Sequence, residues 1–274
     1  MIADIQKALT THWPEYLMEA AGLGLFMLSA CGWGSILEYP GSFAHNAIPD
    51  PTLRRLLMGI LMGVTAIAII YSPWGKQSGA HLNPAVTLTF LRLGKVAGWD
   101  GLFYMLAQFA GGILGVGLAA VCLGHVLAHP AVGYVVTKPG AHGAWVAFLA
   151  EGAISFGLML TVLFVSNAQR WASLTGLCAG ALVSLFIIFE APLSGMSMNP
   201  ARTLGTAVPA HVWTALWVYF SAPPLGMLLA AEVYLQVKGT VICAKLHHRN
   251  DRRCIFNCGY RERSAWQMTG GIVR

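Results

Sequence analysis

Ser78-Gly79-Ala80-His81-Leu82-Asn83-Pro84-Ala85-Val86-Thr87 and, 116 positions further on, Met198-Asn199-Pro200-Ala201-Arg202 carry the same short phrase. Asn is a strong N-cap residue and Pro is favoured at the first helical position, so each Asn-Pro pair marks the start of a helix. Each lies in an apolar stretch, 78–93 and 194–208, that is too short to cross a bilayer, which takes about 20 residues. Backbone that is not helical is tolerated at membrane depth only where protein or a water-filled cavity surrounds it. The two stretches therefore read as re-entrant half-helices lining something polar.

Six longer apolar segments surround them, at about 13–37, 54–73, 101–124, 143–166, 172–190 and 212–237, each long enough to span a membrane. The composition agrees: 56% of the 274 residues are apolar and 10% are charged, against roughly 45–50% and about 25% in soluble domains. A soluble globule, a disordered chain and a disulfide scaffold are excluded on those figures. The expected class is an all-α membrane protein with six transmembrane helices and two re-entrant half-helices.

The halves repeat. Asn83-Pro84-Ala85 and Asn199-Pro200-Ala201 are each preceded by Gly (Gly79, Gly195) and followed by Thr (Thr87, Thr203); Glu19 in the first span is matched by Glu151 in the fourth, and Gly111-Gly112 by Pro223-Pro224-Leu225-Gly226. Three spans per half is an odd number, so consecutive copies insert with opposite orientation and form an inverted repeat.

The net charge of +6 is carried by the segment from Lys238 onward, with eight Lys/Arg against two Asp/Glu. A basic tail beyond the last span marks a cytoplasmic segment rather than a nucleic-acid surface. Lys7, Lys76, Arg92, Lys95 and Arg170 fall on the same side as that tail, and Arg54, Arg55, Lys138 and Arg202 on the other, which puts both termini in the cytosol. The first residues lack the apolar core of a cleavable signal peptide.

The chemistry follows from the half-helices. Each N-terminus carries roughly half a positive elementary charge, and two of them meeting at the midplane disfavour cations. The Asn83 and Asn199 amides are expected to point into the lumen as donors, orienting a water molecule and breaking a proton-conducting chain. Arg202 is expected to line a constriction, because an Arg buried at membrane depth is costly and marks function. Glu19 and Glu151 are expected to accept hydrogen bonds from the irregular backbone ahead of each half-helix.

These residues resemble the aquaporins, or major intrinsic proteins, over about 13–237: the two motifs, the Arg after the second, Ala107-Gln108 in the third span and the paired glutamates. The resemblance implies an N-terminus (1–12), a channel domain (13–237, repeats at about 13–124 and 143–237) and a basic cytoplasmic tail (238–274). It implies a homotetramer with a pore in each protomer, passive permeation, no enzyme activity, no cofactor and no nucleic-acid partner. By the same resemblance the selectivity filter is Ile187, Met196, Arg202 and either Met62 or Gly63, the last choice depending on an insertion near Pro73–Lys76. Water-selective members usually carry His and Phe where this chain has Ile187 and Met62 or Gly63. Glycerol channels usually carry Asp after the Arg and Lys four residues later, where this chain has Thr203 and Ala207. Two readings follow: a water channel that also passes small neutral solutes, or a broader aquaglyceroporin-like facilitator. A coupled secondary transporter ranks below both, since no intramembrane carboxylate cluster is evident. Compact loops and the short amino-terminal segment suggest a bacterial inner membrane.

The tail holds one more pattern. Cys243 and His247, and Cys254 and Cys258, are each four apart and would share a face if helical, which suits a Cys/His metal site, a redox-sensitive thiol cluster, or an ordinary cytosolic tail.

Overall fold

The computed structural model describes residues 2–249 and 251–260; the remainder of the expected tail, 261–274, lies outside the described residues. Six long helices carry the fold: α1 (Ile2–Glu38), α2 (Pro51–Tyr71), α4 (Gly98–Leu123), α5 (Gly143–Ser166), α6 (Thr175–Phe189) and α8 (Leu216–Lys238). Two short ones, α3 (Pro84–Arg92) and α7 (Pro200–Ala210), are the half-helices. Among the described residues six helices are long and apolar enough to cross a membrane, α6 with the help of the 3-10 turn at Ala172–Leu174. Exposed Trp13, Trp74 and Trp171 lie at one end of the bundle, and exposed Trp145, Trp213 and Trp217 at the other. Two such belts are what amphipathic indoles form at the two membrane interfaces.

The α1 helix starts eleven residues before the expected span at 13. Residues 2–9 are mostly good helix formers, and the extension is held from outside, Arg253 donating through Nη2 to Thr11 O at 2.5 Å. At about 1.5 Å per residue, 37 residues reach about 55 Å, so this helix projects well beyond a hydrocarbon core of about 30 Å.

Packing follows the repeat. The α1 helix lies along α4 as α5 lies along α8, and α2 packs on α6 across the two halves. Close crossings are made at small residues. A Cβ on Gly111 would come within 2.1 Å of Ala20 O, and one on Gly226 within 2.3 Å of Gly152 O. The half-helices cross the boundary between repeats: α7 packs chiefly on α4 of the first half, and α3 lies against both α4 of its own half and α8 of the second. This packing brings the two helix starts together.

Candidate functional site

Each half-helix is built by the same local devices. Asn83 and Asn199 are extended N-caps; Asn83 Oδ1 accepts from Ala85 N at 2.9 Å, and Asn199 Oδ1 accepts from Ala201 N at 3.0 Å and Arg202 N at 3.2 Å. The loops leading in have matching left-handed residues: Gly79, Ala80 and Leu82 in the first, Gly195, Met196 and Met198 in the second, each pair 116 positions apart. Four of the six are not glycine, so they sit in a conformation that costs energy unless the surroundings impose it.

Glu19 and Glu151 supply those surroundings. Glu19 accepts from Ser78 Oγ (2.7 Å), His81 N (3.1 Å) and Leu82 N (2.6 Å); Glu151 accepts from Ser194 Oγ (2.7 Å), Ser197 N (2.6 Å) and Met198 N (2.7 Å). Both carboxylates are fully buried. Tyr104 and Tyr219 complete the parallel, donating to Ser78 O at 2.8 Å and Ser194 O at 2.5 Å. The symmetry ends at Gln108, which donates to Glu19 at 2.8 Å; in the second half Thr203 bonds Thr137 and Ser197 instead. Sequence reasoning did not single out Ser78, Ser194 or Tyr104, although Ser78 and Ser194 obey the same 116-residue spacing.

A cavity of about 480 Å³ passes between the half-helices. Its lining includes Glu38, Pro51 and Arg55 at one end and Ile70, His81 and Leu246 at the other. Pro51 and Ile70 belong to one helix and are about 28 Å apart along its axis, close to the thickness of a hydrocarbon core. Both Asn83 and Asn199 line it, as do Met62, Ile187, Met196 and Arg202. Pro84, Ala85, Pro200 and Ala201 are not in the lining; they are buried as the first turns of the half-helices behind it. Gly63, the other candidate for the second-span filter position, is also outside the lining. A Cβ there would meet Ser184 Oγ at 1.9 Å and Gly180 O at 2.6 Å, so Gly63 serves the α2–α6 crossing. Arg202 lines the cavity, and its Nη1 is buried without a protein acceptor.

The tail folds back across the end of the bundle that carries the N-terminus. Leu246 N donates to Gly79 O (3.1 Å), Asn257 N to Lys95 O (3.0 Å) and Ile242 N to Asn167 Oδ1 (2.6 Å), while His81 Nε2 bonds Ala244 O at 2.8 Å. The expected helical faces are absent: 239–249 and 251–258 form no helix, their bonds running to channel loops (Leu246 N to Gly79 O, Asn257 N to Lys95 O) and across a chain reversal (Gly259 N to Ile242 O) rather than along a helical ladder. His247 consequently turns away from the cysteines and packs edge-on against Tyr71 at 5.0 Å. Burial, reinforced by nearby Lys76, pushes its imidazole below the ordinary pKa. Lys245 is buried as well, its Nζ donating to Lys76 O at 3.0 Å and Arg253 O at 2.5 Å, and burial lowers its ammonium pKa.

Two half-helices meeting head to head inside a six-helix bundle, with a cavity between them reaching both ends, define a membrane channel. The chain belongs to the major intrinsic protein family, whose family model matches residues 6–234, and that is a family of channels, not enzymes. Aquaporin NIP2-2 of Zea mays is 38% identical over 238 residues, covering 85% of this chain and 76% of that protein. Aquaporin A of Dictyostelium discoideum is 34% identical over 214 residues, covering 77% and 74%. The X-ray structure of the aquaglyceroporin from Plasmodium falciparum superposes with a TM-score of 0.67 over 83% of this chain and 97% of that one, at 19% identity, a likeness of fold. Relatives from plants and Dictyostelium lend nothing to the bacterial membrane expected from the compact loops.

Proposed function

We propose that this chain is a passive channel for water that also admits small uncharged solutes and holds back ions and protons. One observation carries the reading. Asn83 and Asn199 commit their Oδ1 atoms to their own helices and bond through Nδ2 to the opposite loop, Asn83 to Met198 O and Asn199 to Leu82 O, each at 2.7 Å. An amide nitrogen has two hydrogens, so each keeps one for the lumen, while the Oδ1 atoms are turned to the helix starts. A water molecule passing there accepts from both amides, and its own hydrogens turn outward along the path. The chain of hydrogen bonds that would relay a proton is interrupted, and the two positive helix ends raise the energy of any cation.

At the filter, Met62, Ile187 and Met196 present apolar walls beside the Arg202 guanidinium. Apolar walls suit the carbon skeleton of a small polyol and Arg donors suit its hydroxyls, which favours glycerol-sized solutes as a second class of permeant. Both termini are assigned to the cytosol, because the tail and the start of α1 touch and the basic Lys7, Lys76, Arg92 and Lys95 lie at that end. We further assign a homotetramer with one pore per protomer, to be checked by native mass spectrometry in detergent.

Stopped-flow light scattering on proteoliposomes tests the function. Osmotic shrinkage well above that of protein-free vesicles, measurable glycerol entry and no added ionic conductance are expected. Shrinkage equal to protein-free vesicles, or a conductance that grows with protein content, overturns the reading.

A further inference from the structure

Four side chains of the tail, remote in sequence from the pore motifs, converge on one point. Cys243, His248, Cys254 and Cys258 place one ligand atom each within 4.8 Å of all the others. The Cys243 and Cys254 sulfurs are 3.6 Å apart, and Cys258 Sγ lies 3.2 Å from His248 Nε2. A tetrahedral zinc ion, with bonds of about 2.3 Å to sulfur and about 2.0 Å to nitrogen, sets those edges at roughly 3.8 Å and 3.5 Å.

We propose that Cys243, His248, Cys254 and Cys258 form a Cys3His site for a thiophilic divalent metal ion of the zinc class, which fastens the tail beneath the mouth of the pore. Three sulfur ligands and one imidazole select a soft or borderline ion over magnesium or calcium, which need oxygen. The site is assembled by a chain reversal, Gly259 N donating to Ile242 O at 2.8 Å, rather than by a helix face. Cys243 and Cys254 are buried, while Cys258 and His248 remain partly open and provide a way in.

Two features of the surroundings fit an ion. Three thiolates with a divalent cation leave one formal negative charge, and Lys245, within the same fold of chain, supplies a buried positive one whose two bonded partners are neutral carbonyls. The described residues 240–249 and 251–258 form no helix or strand yet bury Val241, Ala244, Leu246 and Phe256. So short a module has little core of its own, and a bound metal is a common means of holding one together. Leu246, two residues before His248, lies in the cavity lining, so the ion would fix a side chain at the pore entrance. Binding releases the thiol protons to solvent. The proposal is independent of which solutes pass.

The test uses the full-length protein in detergent, purified without chelator. Elemental analysis is expected to find close to one zinc per protomer, and replacement by cobalt(II) to give thiolate-to-cobalt charge-transfer bands with the visible spectrum of tetrahedral cobalt. Cys254→Ser and His248→Ala are expected to lower bound metal at least tenfold while eluting as the parent does on size exclusion. His247→Ala and Cys122→Ser are expected to keep it. Parent protein with less than a tenth of an equivalent of zinc and no tetrahedral cobalt spectrum overturns the proposal without recourse to any variant. A Cys243–Cys254 disulfide in freshly purified protein, or full loss of metal in His247→Ala, overturns it as well.

Discussion

Asn83 and Asn199 each donate through Nδ2 to the loop that introduces the other's helix, Asn83 to Met198 O and Asn199 to Leu82 O, both at 2.7 Å. The same two side chains cap their own helices. Each is thus a clamp between repeats as well as a donor in the lumen. Replacing either by Ala removes a cap worth about 1 kcal/mol and a buried hydrogen bond worth about 1 kcal/mol, and leaves a carbonyl across the pore unpaired. Asn83→Ala and Asn199→Ala are expected to lose about 2 kcal/mol or more each by unfolding in mixed micelles. A loss under half that would show that the cross-bonds contribute little.

Glu151 is the hub of the second loop, taking three hydrogen bonds from Ser194, Ser197 and Met198. Gln at this position turns an NH2 toward backbone N–H groups that require an acceptor, at a cost of about 2–3 kcal/mol. Glu151→Gln is expected to reduce the yield of monodisperse protein and its melting temperature, and Glu19→Gln to do the same through the first loop. Parent-like melting in both would remove the glutamates from their structural role.

Arg202 lines the cavity and is proposed to contribute charge at its filter, while its backbone N–H is satisfied by Asn199. Arg202→Ala therefore keeps the α7 cap. The expected outcome is retained water flux with a several-fold rise in proton or cation leak, followed with a pH-sensitive dye trapped in vesicles. Leak unchanged from the parent would place the barrier elsewhere.

Ile187 lines the same cavity, at the constriction we propose. Ile187→His adds a polar ring there, and glycerol entry is expected to fall by a larger factor than water flux when both are measured on one vesicle preparation. Equal losses would mean that another section of the cavity selects.

Gly111 lies against α1 with no room for a side chain, whereas Gly117, two turns along the same helix, has nothing within 4 Å of an added Cβ. Gly111→Ala is expected to cost about 1–3 kcal/mol through forced separation of α1 and α4, and Gly117→Ala to be neutral or slightly stabilising. Thermal unfolding of the two variants side by side checks the contrast.

Much of this was legible in the chain. Apolar runs set the spans because a helix must present a continuous apolar surface to lipid, and the doubled Asn-Pro-Ala set the half-helices because cap chemistry is local. Legibility failed wherever a side chain's direction depended on another element. Spacing left Met62 and Gly63 undecided; Met62 lines the cavity while the α2–α6 crossing occupies the space beside Gly63, so Met62 is the one we propose for the filter. A four-residue interval favoured His247 over His248 only on the premise of a helix, and the tail bonds to channel loops instead. The bond from Arg253 to Thr11 on the extended start of α1 likewise joins residues 242 apart in sequence.

By itself the sequence determined the class of fold, the inverted repeat and the identity of the residues at the two helix starts, since each follows from hydrophobicity, parity and local capping. Only the tertiary structure decided that α7 packs on the first half and α3 reaches the second, that each asparagine is tied to the other's loop, and which side chains face the cavity. It alone brought Cys243, His248, Cys254 and Cys258 to one point. Those outcomes depend on distances between residues far apart in the chain, which are set by the packing of helices against one another.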